Sequence, residues 1–593
     1  MSQQQPGPEE VAEALRRGQA PSEVLAEPAG GEAPPLQEPD VEPPAPPEPS
    51  VPPAVPVSAE GVTVHGVGPG LLAARDQVLR AAAADGVPAA LTAKDATLWG
   101  PEATPEASVR LGWLDLPRTS AELLPRLRTL RDELRADGLD RVVLAGMGGS
   151  SLAPEVITRT AGVKLVVLDS TDPHTVRAAL TNLDRTVVVV ASKSGSTVET
   201  DSHRRAFEEA FRAAGLSEAE AARRFVAVTD PGSPLANLAE AADYRATVLA
   251  DPAVGGRYSA LSAFGLVPSA LAGADVAALL DTAQALGPAL ARPDDNPGLA
   301  FGAALGGAGL AGHDKVVVAD NGSGMVGFGD WAEQLLAEST GKDGKGLLPV
   351  VVEGVDAPGF AEASDVHLVA LGELPPGHNG TAVAGPLGAQ FLAWEYATAV
   401  AGRALGINPF DQPNVQESKD NTNRLLAGHA QGAAPPRFVD DAVEVHGTMD
   451  ALADAGTLAE AVEALLAVVP PGGYLAVLAY LDRVGESRAT QLRPALAARL
   501  ARPVTFGWGP RYLHSTGQYH KGGPRVGAFL LVTGAVTDDV PVPGRPYTFG
   551  QLQAAQALGD LRALAGRGRP VLHLHLRDRG TGLHQLLAVA GEE

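Results

Sequence analysis

The hydrophobic pattern of the first half of the chain predicts short buried strands that alternate with amphipathic helices. The clearest strand is 186–192, where four consecutive valines and an alanine indicate burial on both faces, as in a parallel sheet covered by helices. The strands predicted in this series are 141–145, 164–169, 186–192, 225–229 and 244–249. Helical patterns lie at 71–84, at 121–137 and between the strands. This alternation indicates a parallel sheet wound with right-handed crossovers.

A second series of the same kind follows a helical stretch that begins near 260–271. Its predicted strands are 315–320, 347–353 and 365–371, and its helices are 328–339 and 388–405. The last third carries further helix and strand patterns at 458–468, 474–481, 503–506, 528–533, 549–565 and 571–576. The predicted fold class is therefore α/β, with two doubly wound αβα sandwiches and a smaller C-terminal α/β module packed on the second. No sequence repeat is strong enough to prove a duplication.

Composition changes this picture at the N-terminus. Residues 1–57 are rich in Pro, Glu, Ala and Gln, so they cannot bury enough apolar surface to offset the entropy of ordering. We predict a disordered tail with polyproline character at 1–57. The globular part is predicted to divide into domains at 58–275, 276–427 and 428–593.

Charge and residue usage exclude several classes of function. The formal charge of −24, without a basic patch, disfavours nucleic acid and anionic membranes as partners. The sequence has no apolar run of about 18–20 residues and no signal peptide, so we expect a cytoplasmic protein. The chain has no cysteine, which excludes disulfides, thiolate metal sites and a cysteine nucleophile. Lysine is scarce, yet lysines 193, 342, 345, 419 and 521 stand beside Gly, Ser or His, where an active site could use a compact ammonium.

Two turns rich in glycine and hydroxyl groups follow the first-series strands. Gly146–Ser151 (GMGGSS) follows 141–145, and 192–197 (SKSGST) follows 186–192. Both turns are expected at the carboxyl edge of a parallel sheet, where open α/β sheets bind ligands. The hydroxyls, the ammonium and the glycine of 192–197, before a helix, predict a phosphate cradle. The full dinucleotide fingerprint and the P-loop pattern are both missing, which favours a monophosphate over a nucleotide.

Five motifs stand in the order found in glucose-6-phosphate isomerases. They are AGMGGSSLAPEV (145–156), ASKSGSTVET (191–200), VGGRYSALS (254–262), WAEQLLAESTGKDGKG (331–346) and NPFDQPNVQESK (408–419). From about residue 60 onward the chain most resembles the isomerase portion of bifunctional transaldolase/glucose-6-phosphate isomerases. No transaldolase-length segment precedes it, so we expect no second activity. The resemblance implies two sugar-isomerase (SIS) domains, each a doubly wound α/β sandwich, and a homodimer.

The resemblance also implies the roles of individual residues. Glu338 corresponds to the base that moves a proton between C2 and C1, and Arg257 to the cation that stabilises the enediolate. Lys419 corresponds to the lysine that assists ring opening. The residues expected to bind substrate and phosphate are Gly149, Ser150, Ser192, Lys193, Ser194, Thr197 and Gln412. We expect no metal and no cofactor.

The chain departs from the resembling family in its ring-opening histidine, because neither sequence context of that residue is present. His367 and His378 lie in the expected interval, but their surroundings indicate a strand and a turn. His514 and His520, with Lys521, form a polar cluster expected to close over the active site or to form a subunit contact. The ring-opening role is thus unassigned, and Lys419 with a water or a histidine of a neighbouring subunit could fill it.

The expected function is interconversion of glucose 6-phosphate and fructose 6-phosphate. Two alternatives stay open, a dual phosphoglucose/phosphomannose isomerase and a non-catalytic regulator that binds sugar phosphates. Retention of Glu338, Arg257 and Lys419 favours an enzyme, and the missing histidine favours the regulator. A nucleotide-dependent α/β enzyme would require a fingerprint that the sequence lacks.

Overall fold

The computed structural model describes residues 55–414, 416–428 and 435–591, without the side chains of Gln416, Ser418, Lys419 and Asn423. Residues 1–54 of the predicted tail therefore lie outside the described residues. Val57, which the sequence pattern assigned to the tail, already belongs to the first strand.

The described strands, in chain order, are β1 Val57–Ala59, β2 Val62–Val67, β3 Arg141–Gly146, β4 Val166–Leu168, β5 Thr186–Ala191, β6 Phe225–Thr229, β7 Ala246–Leu249, β8 Lys315–Asn321, β9 Leu348–Val352, β10 Val366–Gly372, β11 Gly380–Ala384, β12 Phe438–Asp440, β13 Val443–Gly447, β14 Tyr474–Tyr480, β15 Val504–Trp508, β16 Gly527–Gly534 and β17 Val571–Leu576.

The described α-helices are α1 Pro69–Ala84, α2 Val87–Thr92, α3 Thr104–Ala107, α4 Leu116–Thr119, α5 Leu124–Ala136, α6 Leu152–Thr160, α7 Pro173–Ala179, α8 Val198–Ala213, α9 Glu218–Ala222, α10 Pro234–Ala241, α11 Ala263–Ala272, α12 Val276–Leu290, α13 Pro297–Leu310, α14 Phe328–Thr340, α15 Leu387–Leu405, α16 Gln416–Leu426, α17 Leu458–Ala467, α18 Leu492–Leu500, α19 Gly517–Gly522, α20 Phe549–Gly566 and α21 Arg579–Ala590.

The strands form three sheets, which define a first, a second and a third sandwich. The first sheet has the order β4-β3-β5-β6-β7 and is parallel throughout. The second has the order β1-β2-β11-β10-β8-β9, and the third β12-β13-β17-β16-β14-β15. The predicted α/β class with two doubly wound parallel sandwiches is confirmed. In each sheet the first and third parallel strands of the chain are neighbours, and successive strands are added outwards on either side of this pair. Folds of this kind bind ligands at that switch point, at the carboxyl ends of the strands.

The third sheet repeats the arrangement of the second. In both, four parallel strands are extended at the edge of the fourth strand by an antiparallel hairpin, β1–β2 on β11 and β12–β13 on β17. The C-terminal module therefore has six strands, as many as the second sheet. The β1–β2 hairpin joins the second sheet although it precedes the first in the chain, and the exact domain boundaries stay predictions.

Shared apolar cores hold the sandwiches together. One buried cluster joins strands of the first and second sheets, and it includes Val142, Val189, Val316 and Val369. Another joins the second sheet to the third. The third sandwich also packs on the first through a cluster that includes Phe549. None of the described helices is long and apolar enough to cross a membrane.

Candidate active site

The predicted cradle, residues 192–197, lies between β5 and α8. The Ser192 and Thr197 hydroxyls are 2.9 Å apart, and Ser192 Oγ accepts a hydrogen bond from the Gly195 amide at 3.1 Å. Thr197 is the N-cap of α8 but makes no side-chain cap hydrogen bond. Gly195 has φ +68°, and a Cβ there would lie 2.7 Å from the Leu235 nitrogen. The loop is thus shaped by its glycine, and the Ser192–Thr197 pair is not used to cap the helix.

Two other predicted cradle residues, Ser194 and Lys193, differ in the partners of their side chains. Ser194 is exposed, and its hydroxyl is 3.0 Å from that of Ser196. The Lys193 ammonium pairs with Asp230 at 2.6 Å and donates to the Pro252 carbonyl at 3.2 Å. The structure therefore directs the Lys193 side chain towards Asp230 and not among the hydroxyls.

The glycine-rich turn after β3 packs directly against the turn that carries Arg257. Gly149 lies so close to Gly256 that a Cβ on Gly149 would be 1.9 Å from the Gly256 carbonyl oxygen. Ser259 Oγ donates to the Gly149 carbonyl at 3.3 Å or to that of Gly256 at 2.6 Å. The predicted site residue Ser150 is buried in the same turn. Because Gly149 has no side chain, the motif 145–156 can contact the motif 254–262.

Arg257 and Glu338 form a buried ion pair. Arg257 Nη1 donates to Glu338 Oε2 at 3.2 Å, and the two residues are only 4% and 5% exposed. Burial raises the pKa of Glu338, and Arg257 opposes part of that rise. A carboxylate whose pKa is moved towards neutrality can accept a carbon-bound proton and release it again.

Two cations hold the loop that carries Gln412. Arg257 Nη2 donates to the carbonyls of Pro409 and Asp411, at 2.9 and 2.8 Å. The Lys342 ammonium contacts the Asn408 carbonyl at 2.7 Å and Asp411 Oδ1 at 2.6 Å. Gln412 Oε1 accepts from Arg257 Nη1 at 3.4 Å. The structure thus brings Gln412 to the Arg257–Glu338 pair, and it adds Lys342 as a buried support of this loop.

Lys419 lies on α16, and its side chain is outside the described residues. The helix itself is held by the third sandwich, because Glu417 pairs with Arg567 at 2.7 Å and Asn421 Nδ2 donates to the Gly559 carbonyl at 3.3 Å. The assignment of Lys419 to ring opening stays a prediction.

His514 of the third sandwich contacts residues of the candidate site, and the sequence had indicated only that its cluster closes over the active site or forms a subunit contact. Its backbone carbonyl accepts from Gln334 Nε2 at 2.8 Å, and Gln334 Nε2 also lies 3.3 Å from Glu338 Oε2. Its Nε2 is 3.0 Å from Glu199 Oε1, on the first turn of α8 after the cradle. The separation of 315 residues between Glu199 and His514 leaves no spacing signal. The only sequence signal was the density of polar residues around His514.

The other three unassigned histidines do not join this group. His367 lies in β10, where burial lowers its pKa to about 4 and Nε2 contacts Thr381 Oγ1 at 3.1 Å. Burial lowers the pKa of His520 to about 3, and its Nδ1 contacts the Tyr474 hydroxyl at 2.9 Å. His378 packs near Phe360. Within the described ranges, no group of three or more His, Asp or Glu residues is placed to hold a metal ion.

Comparison with known proteins identifies relatives of both the sequence and the fold. The family model for phosphoglucose isomerase matches residues 126–294. A glucose-6-phosphate isomerase of Symbiobacterium thermophilum is 31% identical over 400 residues, which are 53% of this chain and 86% of that protein. A probable glucose-6-phosphate isomerase of Haloarcula marismortui is 37% identical over 219 residues, 35% of this chain and 49% of that protein. The chain thus spans most of one of these relatives and about half of the other.

Two solved structures share the fold. A hypothetical protein from Thermus thermophilus is 26% identical, with a TM-score of 0.51 over 60% of this chain and 98% of that one. A glucose-6-phosphate isomerase from Chlamydia trachomatis is 20% identical, with a TM-score of 0.50 over 63% of this chain and 89% of that one.

The fold and these relatives together place the chain among the sugar-phosphate isomerases. The match to the Symbiobacterium thermophilum glucose-6-phosphate isomerase, at 31% identity over 86% of that protein, identifies the family within this class. This chain belongs to the glucose-6-phosphate isomerase family.

Proposed function

We propose that this enzyme interconverts glucose 6-phosphate and fructose 6-phosphate by proton transfer through an enediolate. The observation that carries the proposal is the buried Arg257–Glu338 pair, with Nη1 and Oε2 3.2 Å apart. A base and a permanent cation held together in a desolvated site suit a reaction in which removal of a carbon-bound proton leaves negative charge on the adjacent oxygens.

The proposed mechanism divides the work between two ends of the substrate. The hydroxyls of Ser192, Ser194 and Thr197 and the turn at Gly149 and Ser150 hold the phosphate. Glu338 takes a proton from one of the carbons C1 and C2 and returns it to the other. Arg257 balances the charge on the oxygens of the enediolate, and Gln412, which contacts the same guanidinium, lines the phosphate side.

The test is turnover of fructose 6-phosphate, coupled to a glucose-6-phosphate dehydrogenase. Glu338→Gln should lower kcat by about 10²–10⁴-fold, because it removes the base, and should leave binding of a sugar-phosphate inhibitor within a few-fold. Glu395→Gln is the matched control, because Glu395 is a buried carboxyl with a raised pKa whose hydrogen bonds do not involve Arg257. An unmodified enzyme that binds fructose 6-phosphate without converting it would favour the non-catalytic regulator instead.

A further inference from the structure

The half-buried His514 and the buried Glu199 form a pair at the edge of the site. Burial alone would raise the pKa of Glu199, but the charge and hydrogen bond of His514 lower it to about 2. Glu199 is therefore ionised and can only accept hydrogen bonds. The proton on the facing ring nitrogen follows from this, because Nε2 of His514 must be the donor across the 3.0 Å contact.

With Nε2 of His514 bound to Glu199, Nδ1 is the ring nitrogen that can contact a bound molecule. Nδ1 has no hydrogen-bond partner within the part of the chain that the structure describes, and the His514 side chain is 17% exposed. A neutral imidazole presents a lone pair at Nδ1, and a protonated one presents an N–H. An imidazole oriented by a carboxylate in this way can exchange a proton with a bound molecule at its free nitrogen.

Contacts on two sides hold the residue that bears this imidazole. Glu199 Oε1 also accepts from Gln556 Nε2 at 2.7 Å, and Gln556 Oε1 accepts from Thr171 at 2.8 Å. On the opposite side, the turn after β3 touches His514, because a Cβ on Gly148 would lie 2.8 Å from the His514 carbonyl oxygen. The same carbonyl receives the Gln334 side chain that also contacts Glu338. The ring is thus held beside both the base and the turn that precedes the cradle.

The third sandwich carries His514 to this position on a short helix, Arg511–His514, which is anchored to the first sandwich. Arg511 Nη1 donates to Glu155 at 2.6 Å and to Asp169 at 2.9 Å, and all three residues are buried. Further along the same segment, the Gly522 carbonyl accepts the amide of Gly344 of the second sandwich at 2.9 Å. The segment that bears His514 is therefore bonded to both other sandwiches of the same chain.

We propose that His514 is the catalytic residue that protonates the ring oxygen of the cyclic substrate, that Glu199 is its positioning residue, and that the third sandwich so completes the active site within one chain. This inference rests on the proposed function. In ring opening, the bond between the anomeric carbon and the ring oxygen breaks, and the ring oxygen takes the proton of protonated Nδ1. A water accepts the proton of the anomeric hydroxyl as the carbonyl forms, and returns it to Nδ1.

A substrate that cannot close a ring separates this role from a structural one. 5-Deoxyfructose 6-phosphate lacks the oxygen that closes the furanose and carries phosphate on the only other candidate, so it stays acyclic. Conversion of it and of fructose 6-phosphate would be followed by NMR, as aldose formation and proton exchange at C1. His514→Asn should lower kcat/KM for fructose 6-phosphate about 10²-fold or more, and change that for the deoxy compound by no more than about threefold.

Glu199→Gln provides a second variant that keeps the imidazole. It should lower only fructose 6-phosphate turnover, by about tenfold or more, because the neutral amide can donate to Nε2 as well as accept from it and so no longer fixes the tautomer. His378→Asn, a histidine outside the group, should leave both substrates unaffected. Equal losses on both substrates in the Glu199 and His514 variants, or no loss on either, would overturn the proposal. An unmodified enzyme inactive on both substrates would instead overturn the proposed function.

Mixing two inactive variants tests whether the site is complete in one chain. In a dimer whose subunits exchanged His514, co-refolded Glu338→Gln and His514→Asn chains would regain about a quarter of the original activity, because half of the dimers would hold one intact site. A site built within one chain predicts no activity above the sum of the two variants. Recovery near a quarter would contradict the one-chain part of the inference.

Discussion

Two glutamates in the active site, Glu338 and Glu199, are both buried, and their pKa values shift in opposite directions. Burial dominates at Glu338, whose pKa is raised. Burial also opposes ionisation of Glu199, but the charge and hydrogen bond of His514, together with a backbone hydrogen bond and the nearby His203, lower its pKa to about 2. One carboxyl is thus tuned to exchange a proton, and the other is kept as a permanent anion.

The raised pKa of Glu338 predicts the acidic limb of the pH profile. The base works when it is deprotonated, so kcat should rise with pH through a midpoint above 4.5, the ordinary value. The measurement is kcat at saturating fructose 6-phosphate, because the substrate's own phosphate titrates near pH 6 and would enter kcat/KM. Glu333→Gln removes another carboxyl of the same helix whose pKa is raised by burial, and should leave the midpoint in place. A kcat that is flat down to pH 4.5 in folded protein would contradict the assignment of the base.

Most elements around the site could be predicted from their own residues. The strand 225–229 matches β6, 186–192 ends within one residue of β5, and the helix 328–339 corresponds to α14. These segments carry continuous apolar runs or a clear helical period. The short strand β11, GTAVA, was missed, because it depends on its pairing with β10 and β2 and carries little apolar signal of its own.

The turns that contain Gly149 and Gly256 are in direct contact, and we expect this contact to set the position of Arg257. Gly149→Ala would place a Cβ 1.9 Å from the Gly256 carbonyl oxygen, so the turns must separate and displace Arg257. A displacement of about 1 Å at a positioning group costs roughly 10² in rate, and kcat/KM should fall by that order. Gly255→Ala is the matched control in the same turn, since its Cβ would meet its nearest neighbour, Tyr258, at 3.9 Å. Similar activity of the two variants would show that the contact does not position Arg257.

At the scale of the whole molecule, the third sandwich contributes contacts to the proposed active site. It repeats the strand order of the second sheet and contacts the site through His514 and α16. Periodicity indicated its four parallel strands but neither β12 and β13 nor the strand order, because the hydrophobic pattern of a strand does not specify its neighbour in the sheet.

Arg511 provides a test of how the third sandwich is attached. Arg511→Met would leave the carboxylates of Glu155 and Asp169 buried with one cation fewer, at a cost of about 3–5 kcal/mol. The expected result is a lower urea midpoint, accompanied by loss of activity as His514 moves. Arg185→Met, which removes a surface pair with Asp140, should leave the midpoint nearly unchanged. An unaltered midpoint for Arg511→Met would mean that other contacts hold the sandwiches together.

The sequence by itself determined the α/β class and predicted the cradle at 192–197 and the candidates Glu338 and Arg257, because these depend on local periodicity or on contiguous motifs. Only the tertiary structure decided which groups meet. It paired Arg257 with Glu338, turned the Lys193 ammonium to Asp230, and carried His514 to Glu199. The physical reason is that a side chain's partner and its pKa depend on burial and on groups that the fold brings from distant parts of the chain.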